Sequence, residues 1–319
     1  MSPKNIIVDV DAGHDDAVAL ILLLSAHRNH QIVIKAITCV AGNTDIDNVI
    51  KNVYRTLEVC DTTDIPVYRG ACSPLISIDG SVECRYHGND GFGDVLKDTP
   101  DISKLQKKHA VIAIRDIVTE NPNKISVVCL APLTNIALAI KLFPEILNDV
   151  KEFYVMGGNS KAQGNVTSQA EFNFYSDPES AHILFKSNFK PLWLLPWETC
   201  LKSDVSMDWR INVLGKINSK PMQFINTVEN AIFAKNPKTQ YYRPCDGLLA
   251  GLVLNPAMNK QCTEYHADVE LTGSKTRGQV VLDHLENNKP NIFLIDDTDT
   301  DIFKEQLYTA FSSFCGKQK

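Results

Sequence analysis

The chain has 319 residues, with 32 Lys and Arg against 38 Asp and Glu for a net charge of −6, 44% hydrophobic residues, 16 Gly, 15 Pro and 9 Cys. This balance excludes a disordered, collagenous or low-complexity chain, and the length suits one large α/β domain or two small ones. The negative charge argues against affinity for nucleic-acid or membrane phosphates and makes a small molecule the default partner.

In chain order, short β-branched runs at 5–9, 32–40, 125–130, 151–155 and 192–195 read as strands. Segments of helical spacing at 16–28, 45–59, 110–120, 134–142 and 178–186 fall between or after them, with Asn121-Pro122 and Asp177-Pro178 marking helix ends. Such alternation predicts an α/β fold, an open and mostly parallel central sheet flanked by helices with right-handed crossovers. Beyond Pro196 the pattern changes to a helical stretch over 209–235 and a short apolar helix at 248–254. The runs 267–271 and 279–282 then read as a small antiparallel extension near the C-terminus, joined across the turn 273–278. No Gly/Ser/Pro-rich linker interrupts the chain, so residues 1–319 are expected to form a single domain.

The first residues lead straight into Ile6-Ile7-Val8 without the apolar region of a secretory leader, and the longest apolar run, 18–26, falls short of the ~18–20 residues of a membrane span. A cytoplasmic protein without membrane association is expected. The cysteines include no CxxC pair and read as reduced core residues rather than as a zinc ribbon or disulfide framework.

The polar residues collect at strand ends. Asp9, Asp11, Asp15 and Asp16 follow the first strand and open the first helix, the place where ligand crevices form in open α/β sheets. Singly, Asp15 or Asp16 can be a helix cap and Asp9 can close a turn. Together, close carboxylates repel and raise one another's pKa unless a cation lies among them. Without a His or Cys pair nearby in sequence, Ca2+ or Mg2+ is favoured over Zn2+. The segments 41–43, 87–93 and 156–159 are polar and glycine-containing and can converge on the same crevice. Asn165, Glu171 and Asn173 offer groups suited to sugar hydroxyls. Asp246, preceding an apolar helix, is either an N-cap or a further ligand.

In this order the motifs resemble the inosine-uridine preferring nucleoside hydrolases over nearly the whole chain, from Ile6 to about Asp283. The resemblance rests on the string from Asp9 to Ala17, Gly42-Asn43, His87-Gly88-Asn89-Asp90-Gly91-Phe92-Gly93, Pro132-Leu133-Thr134-Asn135-Ile136-Ala137, Met156-Gly157-Gly158, Glu171-Phe172-Asn173, Asp177-Pro178-Glu179 and Thr276-Arg277-Gly278. It implies calcium-dependent hydrolysis of the N-glycosidic bond of ribonucleosides to free base and ribose, in a homodimer or homotetramer. By that resemblance Asp11, Asp16, Asp246 and the Leu130 carbonyl hold Ca2+, which carries the attacking water, and Asp11 is the general base. Asp15, Asn43, Asn165, Glu171 and Asn173 bind ribose, with Asp246 helping. His87, Phe172, Tyr241 and Tyr242 are candidates for contact with the base. His14 is expected in an outer shell or at the surface.

Cys245 departs from the best-known members, which carry a His there that is proposed to protonate the leaving base; a branch with Cys exists. It reads equally as proton donor and as packing residue. Two readings compete with it: a nucleoside- or ribose-binding protein with structural Ca2+ and impaired catalysis, and a haloacid-dehalogenase-type phosphohydrolase starting from Asp9 and Asp11. The latter leaves Asp15, Asp16 and 171–173 unexplained.

Overall fold

The computed structural model of the chain describes residues 3–77, 85–189, 191–237 and 239–316. Met1 and Ser2, which open the stretch read as lacking a leader, and Cys84 lie outside the described residues. The first half alternates as expected: β1 (Lys4–Val10), α1 (His14–Arg28), β2 (Ile32–Cys39), α2 (Ile46–Val59), β3 (Val67–Arg69), α3 (Ala110–Glu120), β4 (Ile125–Cys129), α4 (Thr134–Leu142), α5 (Ile146–Asp149) and β5 (Val150–Met156). It continues through α6 (Phe172–Ser176), α7 (Pro178–Lys186), β6 (Leu192–Leu195), α8 (Trp197–Lys202), α9 (Met207–Asn212), α10 (Lys220–Lys235) and α11 (Cys245–Leu254). The last elements are β7 (Asn259–Tyr265), β8 (Ala267–Val269), β9 (Val280–Leu282), β10 (Ile292–Thr298) and α12 (Thr300–Ser312).

Eight strands form one sheet in the order β3-β2-β1-β4-β5-β6-β10-β7, parallel except where β7 runs antiparallel to β10. β8 and β9 pair antiparallel as the small extension. β1 lies between β2 and β4, so the chain leaves it to one side and later returns on the other. That reversal opens a crevice at the carboxyl ends of β1 and β4. Alternation along β1 sends Ile6, Val8 and Val10 into one core and Ile7 into the other, covering both faces of the sheet. α1 is buried on all sides from Asp16 to Ala26 and packs against α10, α11 and α12. A helix so enclosed needs no polar face, which explains the unbroken apolar run. Among the described residues, no helix is long and apolar enough to cross a membrane.

The helix expected over 209–235 is instead broken. α9 ends at Asn212, and α10 restarts where the Ser219 hydroxyl accepts from the Met222 N–H, with Pro221 in the first turn. Proline has no N–H to donate to a preceding turn, so the earlier helix cannot run through it. α11 begins three residues before the expected 248, placing Cys245 and Asp246 in its first turn.

Candidate active site

The site begins where β1 ends. Asp9 does not close a turn: its Oδ1 accepts from Thr38 Oγ1 at 2.5 Å and from Asn135 Nδ2 at 2.8 Å, inside the sheet. Ala12 then takes a left-handed φ of 41°, an uncommon conformation for a residue with a Cβ. Asn52 on α2 steadies the bend by donating from Nδ2 to the carbonyls of Ala12 (3.1 Å) and Asp90 (2.7 Å). Asp16 caps the helix it belongs to, accepting from the Gly13 N–H at 2.8 Å. Gly42 must be glycine, because a Cβ there would lie 2.1 Å from Asp11 Oδ2. This close approach lets the Asn43 N–H donate to that oxygen at 2.7 Å.

Three carboxylates from the two ends of the chain meet here: ligand oxygens of Asp15, Asp16 and Asp246 lie within 4.8 Å of one another. Asp15, expected on ribose, lies in this acidic cluster as well as on the pocket wall, and the charge of nearby Asp11 acts on Asp16. The Oδ1 atoms of Asp11, Asp15 and Asp16 are buried without a partner. Burial first, then the neighbouring carboxylates, pushes Asp11 up to about 7 and Asp16 and Asp246 well above the usual range. Buried, orphaned, oxygen-only donors with crowded negative charge fit a hard divalent cation. The Leu130 carbonyl lines the same pocket and accepts from Asn173 Nδ2 at 2.9 Å.

Above the carboxylates is a cavity of about 610 Å³. Asn43, His87, Asn165, Glu171, Phe172 and Asn173 all reach its wall, as do Tyr241, Tyr242, Cys245 and Asp246. Glu171 is buried and caps α6, its carboxylate accepting from the N–H groups of Gly158 (2.7 Å), Asn173 (2.9 Å) and Phe174 (3.2 Å). Burial nevertheless raises it to about 7, against the effect of those bonds. Asn165 is exposed on a loop, and Glu198 pins that loop through the N–H groups of Ser160, Lys161 and Gln163. The Tyr242 hydroxyl is committed to Glu229 at 3.0 Å, and Glu229 is ion-paired with Arg210 at 2.6 Å, so Tyr242 offers the pocket its ring. Tyr241 is exposed, with the Arg243 guanidinium over its ring. Cys245 is buried, its Sγ–H directed at the Arg243 carbonyl (3.6 Å), and contact with Cys200 followed by burial pushes the thiol well up.

His14 is buried rather than superficial, and its Nδ1 lies 2.8 Å from His87 Nδ1. Burial, then the neighbouring His87, lowers His14 to about 3; burial lowers His87 as well. Tyr86, Trp197, Phe233, Thr239, Gln240 and Arg243 also line the cavity; Trp197 reads from the sequence as a core or rim residue, whereas Tyr86, Phe233, Thr239 and Gln240 were not singled out as wall residues. Phe233 was concealed in the last turn of a helix whose periodicity marks only a core face.

The family model for inosine-uridine preferring nucleoside hydrolase matches residues 6–305. The chain is 33% identical over 302 residues to an inosine-uridine preferring nucleoside hydrolase of Crithidia fasciculata, covering 90% of each chain. It is 32% identical over 320 residues to the pyrimidine-specific ribonucleoside hydrolase RihA of Photobacterium profundum, covering 98% of this chain and 99% of that one. A solved inosine-guanosine nucleoside hydrolase superposes with a TM-score of 0.89 at 27% identity, covering 96% of this chain and 98% of the other.

Proposed function

The chain belongs to the inosine-uridine preferring nucleoside hydrolase family and is therefore an N-ribohydrolase of ribonucleosides, and from that premise we propose that it uses Ca2+ held by Asp11, Asp16, Asp246 and the Leu130 carbonyl, with Asp11 as general base. The observation that carries this reading is the set of partnerless, buried carboxylate oxygens of Asp11, Asp15 and Asp16 beside Asp246. A hard cation bound there offsets the crowded negative charge and makes the proton of an adjacent water easier to remove.

Asp11 is held at Oδ2 by the Asn43 N–H and keeps Oδ1 to take that proton. Asp15, Asn43, Asn165, Glu171 and Asn173 hold the ribose, whose hydroxyls suit a wall of carboxylates and amides. Glu171 and Asn173 are fixed by backbone hydrogen bonds, so they are already oriented before the sugar arrives. As the glycosidic bond breaks, the sugar gains oxocarbenium character, and these oxygens lie where positive charge develops. Phe172, Tyr241, the Tyr242 ring and His87 are left to contact the base. Cys245, with its Sγ–H given to a backbone carbonyl, packs the wall rather than protonating the leaving group. The proposal includes a cytoplasmic homodimer or homotetramer acting in nucleoside salvage, its assembly testable by sedimentation.

Names among the relatives divide between purine and pyrimidine substrates, so the deciding assay presents both. Inosine, adenosine, guanosine, uridine, cytidine and 2′-deoxyuridine are incubated with the protein, with Ca2+ and after exhaustive chelation, and released base is measured by chromatography. Release from ribonucleosides, lost on chelation and poor for the deoxy substrate, is expected. Undiminished release in chelator would remove the cation from the reading, and equal release from 2′-deoxyuridine and uridine would remove the hydroxyl contacts.

A further inference from the structure

We propose a second metal site beside the carboxylate cluster, made of His14 Nδ1, His87 Nδ1 and a carboxylate oxygen of Asp15, and suited to Zn2+. The three atoms form a small triangle. The two ring nitrogens are 2.8 Å apart, and Asp15 Oδ1 lies 3.9 Å from His14 Nδ1 and 3.8 Å from His87 Nδ1. Tetrahedral zinc with bonds of about 2.0–2.1 Å spaces its ligand atoms roughly 3.3–3.4 Å apart. The observed edges straddle that value, so shifts of a few tenths of an ångström close the site.

One further observation points to a ligand, and others show how the site is held. Asp15 Oδ1 is buried with no hydrogen-bond partner. His87 Nδ1 accepts from the His14 backbone N–H at 3.3 Å and faces His14 Nδ1 at 2.8 Å, so in the metal-free chain a proton lies between the rings, and a cation bound there replaces these hydrogen bonds with His14 in its Nε2–H tautomer. The loop carrying His87 is tied down on its own account, with the Gly93 N–H on the His87 carbonyl at 2.8 Å and Asp94 on the N–H groups of Asn89 and Asp90. Tyr86 and Phe233 pack around the rings, at centroid distances from His14 of 5.9 and 6.2 Å, and hold their orientation. All three ligand residues line the pocket, so a fourth coordination position opens into it. Imidazole nitrogen favours zinc while the oxygen-only cluster favours calcium, and Asp15 belongs to both groups. Zinc bound here immobilises Asp15 and His87 and blocks nucleoside entry; this consequence alone rests on the function proposed above.

The test is a Zn2+ titration of the full chain against a chromophoric chelator in excess Ca2+, with nucleoside hydrolysis followed in parallel. One Zn2+ per chain is expected, with affinity lowered more than ~100-fold in His87→Gln and in His14→Gln, beyond the 10–100-fold typical of losing an outer-shell partner. Asp246→Asn, which alters only the carboxylate cluster, should keep the zinc. Co2+ supplies a readout independent of activity: a visible band of tetrahedral nitrogen coordination in the parent protein, absent from His variants whose far-ultraviolet circular dichroism shows them folded. Unchanged zinc affinity in both His variants, zinc lost in Asp246→Asn but kept in His87→Gln, or no stoichiometric binding would each overturn the site. Zinc bound as described without inhibition upholds the site and overturns the assignment of Asp15 and His87 to the nucleoside.

Discussion

Asp11 is anchored at one oxygen and unpartnered at the other, the asymmetry a general base requires. Asn in its place keeps an acceptor for the Asn43 N–H but removes both the group that takes a proton and the negative charge offered to the cation, so the comparison is made at saturating Ca2+. Asp11→Asn is expected to lower kcat by at least ~10²–10⁴-fold, the usual worth of a positioned acid or base, with KM little changed. Steady-state kinetics of base release reads both constants, and retained kcat would transfer the role elsewhere. Cys245 carries the opposite expectation. A packing thiol, replaced in Cys245→Ala, should reduce kcat less than ~10-fold and by the same factor for inosine and for a nitrophenyl riboside, whose leaving group departs without protonation. A loss confined to inosine would make Cys245 the acid. The sequence shows these residues because they are consecutive in compact motifs. It does not show that Asn52 steadies the bend at Ala12, or that His14 meets His87, because those contacts join residues 40 and 73 positions apart.

The bend from β1 into α1 buries Asp11 beside the acids of the first turn, and this segment contributes to the pH dependence of the calcium-free protein. Burial pushes the Asp11 carboxyl up to about 7, whereas an unfolded carboxyl has a pKa near ~3.9. The folded chain therefore holds this proton more tightly. Its stabilising contribution is complete below about pH 4 and is lost as pH rises through about 7. In chelator, Asp11→Asn should accordingly melt above the parent protein, by a margin that widens from about pH 5 to pH 8. Excess Ca2+ should reverse the order, because the Asn variant loses a cation ligand. Thermal melts at both ends of that range decide the matter, and a margin independent of pH would mean that Asp11 does not titrate between them. At the same scale, the alternation up to β6 was legible because each element had its own period and breakers. β3 has only three residues, too few for a periodic signal. β7, at the edge of the sheet, is mostly exposed and polar, with no apolar face to read. The apolar spacing of 209–235 concealed the break that Ser219 and Pro221 impose.

Across the whole molecule, the carboxylate cluster joins residues more than 200 positions apart, from the start of α1 and the start of α11, and those two helix starts meet because α1 packs along α11. The sheet continues this closure, since β10, late in the chain, adds beside β6 and brings β7 with it. The crevice at the end of β1 was foreseeable from the parallel sheet alone. Asp246 in the same crevice was foreseeable only through the family resemblance, because nothing local distinguishes it from an ordinary helix start. A cation bridging the two ends stabilises both at once, so the chain is expected to unfold as a single unit whose midpoint responds to calcium. At about 100 times the dissociation constant, linkage adds roughly 2.7 kcal/mol, which for a chain of this size corresponds to a rise of a few °C. Scanning calorimetry should show one peak that moves as a whole with Ca2+ and stays in place in Asp246→Asn. Two peaks of which only one moves would divide the chain into separate domains, with the cation confined to one of them.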